Sequence, residues 1–340
     1  MIRVGLAGYG LAGSAFHAPL IRAVERMELT AVLTSRDALQ RVDSFDELLE
    51  RSDLVVVATP NTTHFDLASA ALTAGKHVVV DKPLTVTVDE ADKLIGLAEQ
   101  CERVLTVFHN RRWDGDFLTV RKIMPELGEI SLFEACWDRF RPKIKRGWRE
   151  APAAGSGVLA DLGPHMIDQA LQLFGWPDAI SADVAAQRSG AQVDDYFDLT
   201  LYYGSARACL RCSTLTAEPR PRFAVHGSRG SFVKHGLDAQ ETALKAGVDP
   251  RAPDFGIDTR EGSLTVAGAS TQPMRTERGR YLSFYDGVAE AILEGAPAPV
   301  DPRDARDGLA LIDLARQGSA TGRALPVPAA SSKEAPTRSA

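Results

Sequence analysis

Three groups of residues in this chain have the types and spacings that do chemistry. Gly8, Gly10 and Gly13 fall at G-x-G-x-x-G spacing, between the apolar run Ile2 to Ala7 and the helical periodicity of Ser14 to Val24. In a strand–turn–helix context the first glycine allows a sharp turn. The second lets the backbone approach a pyrophosphate, and the third lets helix and strand pack closely while the helix N-terminus offers N–H groups to the phosphates. Asp161 and His165 stand four apart at the start of a helical run, so they share a face. A carboxylate beside an imidazole raises its basicity and fixes its orientation, which suits a general acid–base pair. The alternative is that Asp161 only caps the helix and His165 is a core or surface histidine. Lys82, in Asp81-Lys82-Pro83, directly follows an apolar strand. In open α/β sheets ligands sit beyond the carboxyl ends of the strands, so Lys82 stands where the reactive end of a cofactor would lie. The alternative is a solvated Lys in a βα loop.

The elements that must hold these groups change character along the chain. After the first strand come Leu29 to Leu33, Asp53 to Ala58, His77 to Val80 and Val104 to Val107, separated by helical stretches at 45–49, 63–73 and 89–100. Continuous β-branched runs such as Leu54-Val55-Val56-Val57 suit strands buried on both faces of a parallel sheet. Strand and helix in alternation predict a doubly wound Rossmann domain over residues 1–120. From about residue 128 longer, partly alternating runs appear at 129–140, 180–187, 195–203 and 207–216, with a hairpin at 225–233. One long helix interrupts them (162–173) and two follow (281–293 and 303–317). The fold class is therefore α/β, with an α+β C-terminal domain built on a large, mostly antiparallel open sheet at 121–325. The Pro-, Ala- and Ser-rich stretch 326–340 is predicted to be disordered.

Composition narrows the function classes. The 340 residues carry a net charge of −6, with 44% hydrophobic and 25% charged residues, as expected of a globular chain with a sizeable core. An acidic balance argues against nucleic acid as the partner. No apolar run nears the ~20 residues that span a bilayer, and the N-terminus shows no secretory pattern, so a cytoplasmic protein is expected. Four cysteines are too few for a disulfide scaffold. Cys209-Leu210-Arg211-Cys212 lies in a predicted strand, where residues three apart face opposite sides, so neither metal nor redox chemistry is expected of it.

Other residues crowd the same strand ends. Thr59, Pro60, Asn61 and His64 follow the third long strand, and Pro60 and Asn61 are placed to border a nicotinamide ribose. His109-Asn110-Arg111-Arg112-Trp113-Asp114 follows the last strand of the first domain. Asn110 and Arg111 there are candidate substrate contacts, or part of a charged linker. Trp148 lies in a basic loop, Arg139 to Arg149, which is a substrate rim or a solvated loop. The second strand ends in Thr34-Ser35-Arg36, where an NAD site would place an acid to bond the ribose hydroxyls. Ser35 and Arg36 instead suit a 2′-phosphate, which favours NADP over NAD. Asp37 is the competing reader, one residue on. An apolar outer face on the second sheet, with Leu199, Leu201 and Tyr203 or their alternates, predicts a homodimer or homotetramer.

In this order, the pieces resemble the glucose–fructose oxidoreductase/inositol dehydrogenase (Gfo/Idh/MocA) family. They are Gly8 to Gly13, Ala58-Thr59-Pro60-Asn61 with His64, Gly75-Lys76-His77-Val78 into Asp81-Lys82-Pro83, Asp161-x-Gly163-x-His165-x-x-Asp168, and His226 to Ser231. The resemblance covers the chain to about residue 320. It implies that Lys82, Asp161 and His165 act on the substrate, that Gly8, Gly10, Leu11, Ala12, Gly13, Ser35, Arg36, Thr59, Pro60, Asn61, His64, Asp81 and Lys82 line a cofactor, and that no metal takes part. Asp81 stands where most members have Glu. Asp-Lys-Pro, His-Asn-Arg-Arg-Trp-Asp and the Phe16 to Ile21 run are similar to the NADP-dependent scyllo-inositol dehydrogenases. The implied reaction moves a hydride between nicotinamide and a secondary alcohol or ketone of a cyclic polyol or sugar. The alternatives are action on another sugar, such as an aldose or anhydro-ketose, and a dinucleotide-binding regulator without turnover.

Overall fold

A computed structural model describes residues 1–144, 147, 150–153 and 155–329. Six strands form the first sheet: β1 (Ile2–Ala7), β2 (Met27–Leu33), β3 (Arg41–Val42), β4 (Leu54–Val57), β5 (His77–Val80) and β6 (Leu105–Val107). They are all parallel in the order β3-β2-β1-β4-β5-β6, the doubly wound arrangement. β4 and the last three residues of β5 are wholly buried, as two-faced burial demands. The crossovers are α1 (Ala18–Ala23), α2 (Phe45–Glu50), α3 (His64–Thr73) and α4 (Val88–Gln100). Ser44 Oγ accepts the Glu47 N–H at the start of α2, and Thr87 and Glu90 form a reciprocal box at the start of α4. Such caps contribute about 1 kcal/mol each.

The helix expected over 14–24 is not regular. Residues Gly13–His17 make a π-turn before α1, with the Ala18 N–H reaching back to the Gly13 carbonyl. Pro19 has no N–H to give Ala15, so a strict α ladder cannot run through this stretch.

The second sheet has nine strands: β7 (Ile130–Cys136), β8 (Ala179–Ala185), β9 (Tyr196–Tyr203), β10 (Ala206–Ser213), β11 (Phe223–Gly227), β12 (Gly230–Lys234), β13 (Gly262–Val266), β14 (Gln272–Met274) and β15 (Leu325–Pro326). Their order is β14-β13-β12-β11-β7-β10-β9-β8-β15, antiparallel throughout except for the β10–β7 pair. Helices α5 (Gly115–Ile123) and α6 (Val158–Phe174) belong to this part of the chain. Phe197, Leu199 and Leu201 are fully buried in the core that α6 shares. The expected outer face of β9 is therefore corrected. It carries the alternates Tyr196, Asp198, Thr200 and Tyr202, all half-buried, with Arg211 ion-paired to Asp198 and Glu134 and Arg207 stacked on the Tyr202 ring. The expected disorder of 326–340 is also corrected at its start. β15 pairs with β8, the Val327 N–H donates to the Asp178 carbonyl, and Trp176 Nε1 donates to the Pro328 carbonyl at 2.7 Å. Residues 330–340 lie outside the described residues.

The chain divides into two units, but not at residue 120. Unit 1 comprises Met1–Gly115, Asp238–Ile257 and Arg278–Leu309, and unit 2 the rest. The returning segments of unit 1 hold α7 (Gln240–Lys245), α8 (Leu282–Glu294) and the first turns of α9 (Pro302–Thr321). A buried polar clamp fastens them. Arg111 pairs with Glu241 and Asp114, and its Nη1 donates to Tyr281 Oη at 2.7 Å. Tyr281 donates to Asp114 Oδ1 at 2.6 Å. Gly115 N–H donates to Asp238, and Gln240 Nε2 donates to the Trp113 carbonyl. Apart from Arg111 and Asp114, these partners lie more than 100 residues apart in sequence, which is why no contiguous boundary describes unit 1.

Burial alone would raise the Glu241 carboxyl, but Arg111 and Lys245 outweigh it and bring it down to about 2. Its folded value lies below its unfolded one, so its stabilisation is present above the unfolded value and is lost as the pH falls through the folded one. Glu241→Gln should therefore cost about 2 kcal/mol at pH 7. Urea unfolding from pH 7 down to 3 should show this gap narrowing below about pH 4.5. A gap independent of pH would show that Glu241 contributes packing and not charge.

Candidate functional site

β1 runs straight into the glycine turn. Gly8 has φ +98°, and its N–H donates to the Leu33 carbonyl. A Cβ on Gly8 would strike the Ala58 carbonyl, and one on Gly13 would collide with the Gly8 carbonyl. A Cβ on Gly10 would meet nothing within 4 Å. Gly8 and Gly13 thus serve the turn itself, whereas Gly10 leaves open space beside the backbone where a pyrophosphate fits. Ala12 is half-buried beside it, and Leu11, 56% exposed, offers an apolar side chain at the rim. β2 ends in a tight turn in which Thr34 Oγ1 accepts the Arg36 N–H. Ser35, Arg36 and Asp37 are all exposed there.

The loops after β4 and β5 are built as a pair. Pro60 precedes a short 3-10 turn, Asn61–Thr63, and the Thr59 and Thr63 hydroxyls lie 2.7 Å apart. Buried His64 places Nδ1 2.8 Å from the Pro83 carbonyl and Nε2 3.0 Å from the Thr59 carbonyl. The His64 ring, expected to line the cofactor, is a strut joining the two loops. The Asp81 N–H donates to the Val57 carbonyl, and Asp81 Oδ1 accepts the Lys82 N–H at 2.8 Å. Asp81 is thus taken up by its own loop, and the half-buried Lys82 is what the loop presents. Burial would raise the Asp81 carboxyl, but His17 facing it, with the charge of Lys82, holds it below the usual carboxylate range.

Arg111, expected to meet substrate, is tied into the clamp of unit 1. Its guanidinium is buried and engaged by Glu241, Asp114 and Tyr281. Neighbouring Asn110 is buried too.

In unit 2, Asp161 lies in the first turn of α6 and His165, nearly fully buried, one turn on. Asp161 is not the cap, because its N–H already donates to the Gly157 carbonyl. The cap comes from a residue the sequence reading missed. Asp194 Oδ2 accepts the Leu159 N–H at 2.7 Å and its carbonyl accepts the Val158 N–H. Gly157, at φ +90°, is required because a Cβ there would strike the Asp194 carboxylate. Its neighbour Asp195 is bonded by the backbone N–H groups of Gln187 and Arg188 and by Arg188 Nε. Arg188 in turn donates to the Arg141 carbonyl and to Glu150, fastening the basic loop. Trp148, with Lys145, Arg146 and Arg149, lies outside the described residues. The Cys212 thiol is pushed by burial up to about 12 and that of Cys209 is raised as well, an environment without a reactive thiolate.

The glycine turn yields a paired expectation. Gly13→Ala should lower the melting temperature and abolish dinucleotide binding together, because the added methyl has no place in the folded turn. Gly10→Ala should leave the melting temperature within about 2 °C, since its Cβ meets nothing, yet weaken dinucleotide binding about 10-fold or more by occupying the ligand's space. Thermal melts and fluorescence titration with NAD and NADP check both. Unaltered binding by Gly10→Ala would mean the pyrophosphate does not lie over Gly10.

Comparison with known proteins agrees with this architecture. The family model described as "Oxidoreductase family, NAD-binding Rossmann fold" matches residues 2–109, and "Oxidoreductase family, C-terminal alpha/beta domain" matches residues 122–328. The "Uncharacterized oxidoreductase YdgJ" of Escherichia coli is 44% identical over 330 residues, 92% of this chain and 95% of its own length. "scyllo-inositol 2-dehydrogenase (NADP(+)) IolW" of Bacillus subtilis is 39% identical over 341 residues, 95% of each chain. The solved structure of the YPO2259 protein from Yersinia pestis superimposes with a TM-score of 0.93 at 42% identity, covering 97% of this chain and 98% of that one. The chain belongs to the Gfo/Idh/MocA oxidoreductase family, with an NAD(P)-binding Rossmann domain and the family's C-terminal α/β domain.

Proposed function

We propose that the protein is an NADP-dependent dehydrogenase or reductase acting on a secondary alcohol or ketone of a cyclic polyol, with scyllo-inositol the favoured substrate type. The observation that carries this reading is the joint retention of Lys82 and the Asp161–His165 pair in a chain 39% identical to a protein named scyllo-inositol 2-dehydrogenase (NADP(+)). A regulator without turnover has no need of all three residues. Bound nicotinamide supplies the hydride acceptor or donor. In this reading His165 takes the alcohol proton and Asp161 orients its ring. Lys82 stabilises the developing alkoxide, as a fixed positive charge does in a dry site. Action on another sugar is the second reading, because pocket shape decides between polyols. The proposal extends to a cytoplasmic homodimer or homotetramer that joins the outer faces of the nine-stranded sheets.

Turnover with a panel of polyols and sugars, each with NADP and NAD, tests the reading directly. Lys82→Met should lower turnover by about two to four orders of magnitude while dinucleotide affinity stays within a few-fold. His165→Ala should depress oxidation and alter the acidic limb of the rate profile. Near-normal rates in both variants would remove these groups from the reaction, and an inert wild type on the whole panel would favour the regulator.

Cofactor choice rests on Ser35 and Arg36 at the exposed end of β2. Arg36→Ala should weaken NADP by about 1.5–3 kcal/mol, the range for a hydrogen bond to a charged group, and leave NAD almost unchanged. Side-by-side titrations decide. An equal loss for both, or a wild-type preference for NAD, would assign the ribose to Asp37 or to the turn backbone.

A further inference from the structure

His17 lies in the π-turn that directly follows the glycine loop, and it is completely buried. Its ring packs on Phe108 at 4.4 Å between centroids. Nδ1 lies 2.6 Å from the hydroxyl of Tyr285, a fully buried residue of α8. Nε2 lies 3.9 Å from Asp81 Oδ2, and the other oxygen of that carboxylate holds the Lys82 backbone N–H. Every residue of this chain of contacts belongs to unit 1.

A buried imidazole placed between a hydroxyl and a carboxylate has a preferred arrangement. At 3.9 Å, Nε2 is too far from Asp81 Oδ2 for a direct hydrogen bond and meets the carboxylate electrostatically. Because a carboxylate accepts only, the arrangement that suits this contact puts the ring proton on Nε2. Nδ1 is then an acceptor, and the Tyr285 hydroxyl must donate to it. Burial raises the Tyr285 phenol well above its ordinary range, which keeps that proton in place. The charged or polar groups facing Asp81 are then His17 from the π-turn, Lys82 from its own loop and His64 from α3. Buried imidazole is an expensive filler for an apolar core, and here it faces the carboxylate whose other oxygen accepts the Lys82 backbone N–H.

Resting on the function proposed above, we infer that His17 is a positioning residue. It holds the Asp81 carboxylate in the orientation that fixes the Lys82 backbone, and Tyr285 sets its tautomer. Because His17 closes the turn that starts at Gly13, it also ties the lysine loop to the phosphate-binding end of the same sheet. The line Tyr285–His17–Asp81–Lys82 is thus a relay of position, in which His17 and Tyr285 act through Asp81.

Two readouts in the full chain test this, one of them independent of turnover. The first is competitive acetylation of Lys82 by acetic anhydride across pH, read by mass spectrometry. His17→Gln and Tyr285→Phe should each shift its labelling profile in the direction given by Asp81→Asn, and His17→Gln/Asp81→Asn should match Asp81→Asn alone. Tyr285→Phe removes one hydroxyl and keeps the ring, so it serves if His17→Gln melts at much lower temperature. The second readout is kinetic. Each single variant should lower kcat about 10-fold to 100-fold with KM for polyol and for NADP nearly unchanged, and the losses of His17 and Asp81 should not multiply. An unshifted Lys82 profile in folded His17→Gln and Tyr285→Phe, or fully multiplicative losses, overturns the inference. If the wild type turns over no polyol, the proposed function falls while the labelling arm still decides the role of His17.

Discussion

β1, β4 and β5 are hydrogen-bonded side by side in a register that sets Ala7 level with Val57 and Val57 level with Val80. That alignment is the constraint on which the chemistry of unit 1 depends. Three strands of a parallel sheet end at one height, so Gly8, the Ala58–Thr59 loop and Asp81–Lys82 leave the sheet from a common edge. The strands hold register because all are buried on both faces, where a one-residue slip would misplace the whole apolar set. Cross-links then fix the loops to one another. The Gly8 turn approaches Ala58 so closely that only glycine fits, and His64 spans the Thr59 and Pro83 carbonyls.

Around this edge the chain buries polar groups that apolar packing could replace at lower free-energy cost. Arg111, Asp114, Tyr281 and Glu241 bring α7 and the start of α8 into unit 1. An apolar cluster would hold those segments as firmly. It would not hold them in one orientation, because dispersion contacts are non-directional whereas a guanidinium fork accepts partners only along its N–H vectors. The same logic applies at α6, whose Leu159 amide is held by the Asp194 carboxylate from a loop 35 residues away.

What was legible in the sequence was local. The strand–glycine–helix pattern, the β-branched runs, the Ser44 cap and the hairpin at 225–233 each depend on residues within a few positions of one another, and each is in the structure. The doubly wound class followed from the alternation of elements, though the two-residue β3 went unread. What escaped was non-local. No spacing joins Arg111 to Glu241 or Leu159 to Asp194, so the clamp went unread and Asp161 read as a possible cap. The interleaving of 238–257 and 278–309 with unit 1 has the same origin. β13 and β14 were missed because their short runs, Gly262–Val266 and Gln272–Met274, carry little apolar signal. Which of the two alternating sets of β9 faces outward stays open in the sequence, because alternation gives two sets without saying which one a helix covers.

The cap on α6 shows the direction in which this fold trades stability for position. Burial raises the Asp194 carboxyl above its ordinary range, against the hydrogen bond from Leu159 and the charge of Arg316. An acid whose folded value exceeds its unfolded one weakens the fold as the pH rises past the unfolded value, and the full penalty stands above the folded one. Ionising this carboxyl therefore works against the fold. Substituting an apolar residue would relieve that cost and would release the Leu159 amide in the first turn of α6. That amide helps fix the first turn, and the first turn carries Asp161 one turn ahead of His165. A helix whose only task was to cover β9 and β10 could end anywhere within a residue or two. One whose second turn must present a buried imidazole at a set height cannot fray, and a remote carboxylate on the Leu159 amide is the physical signature of that demand.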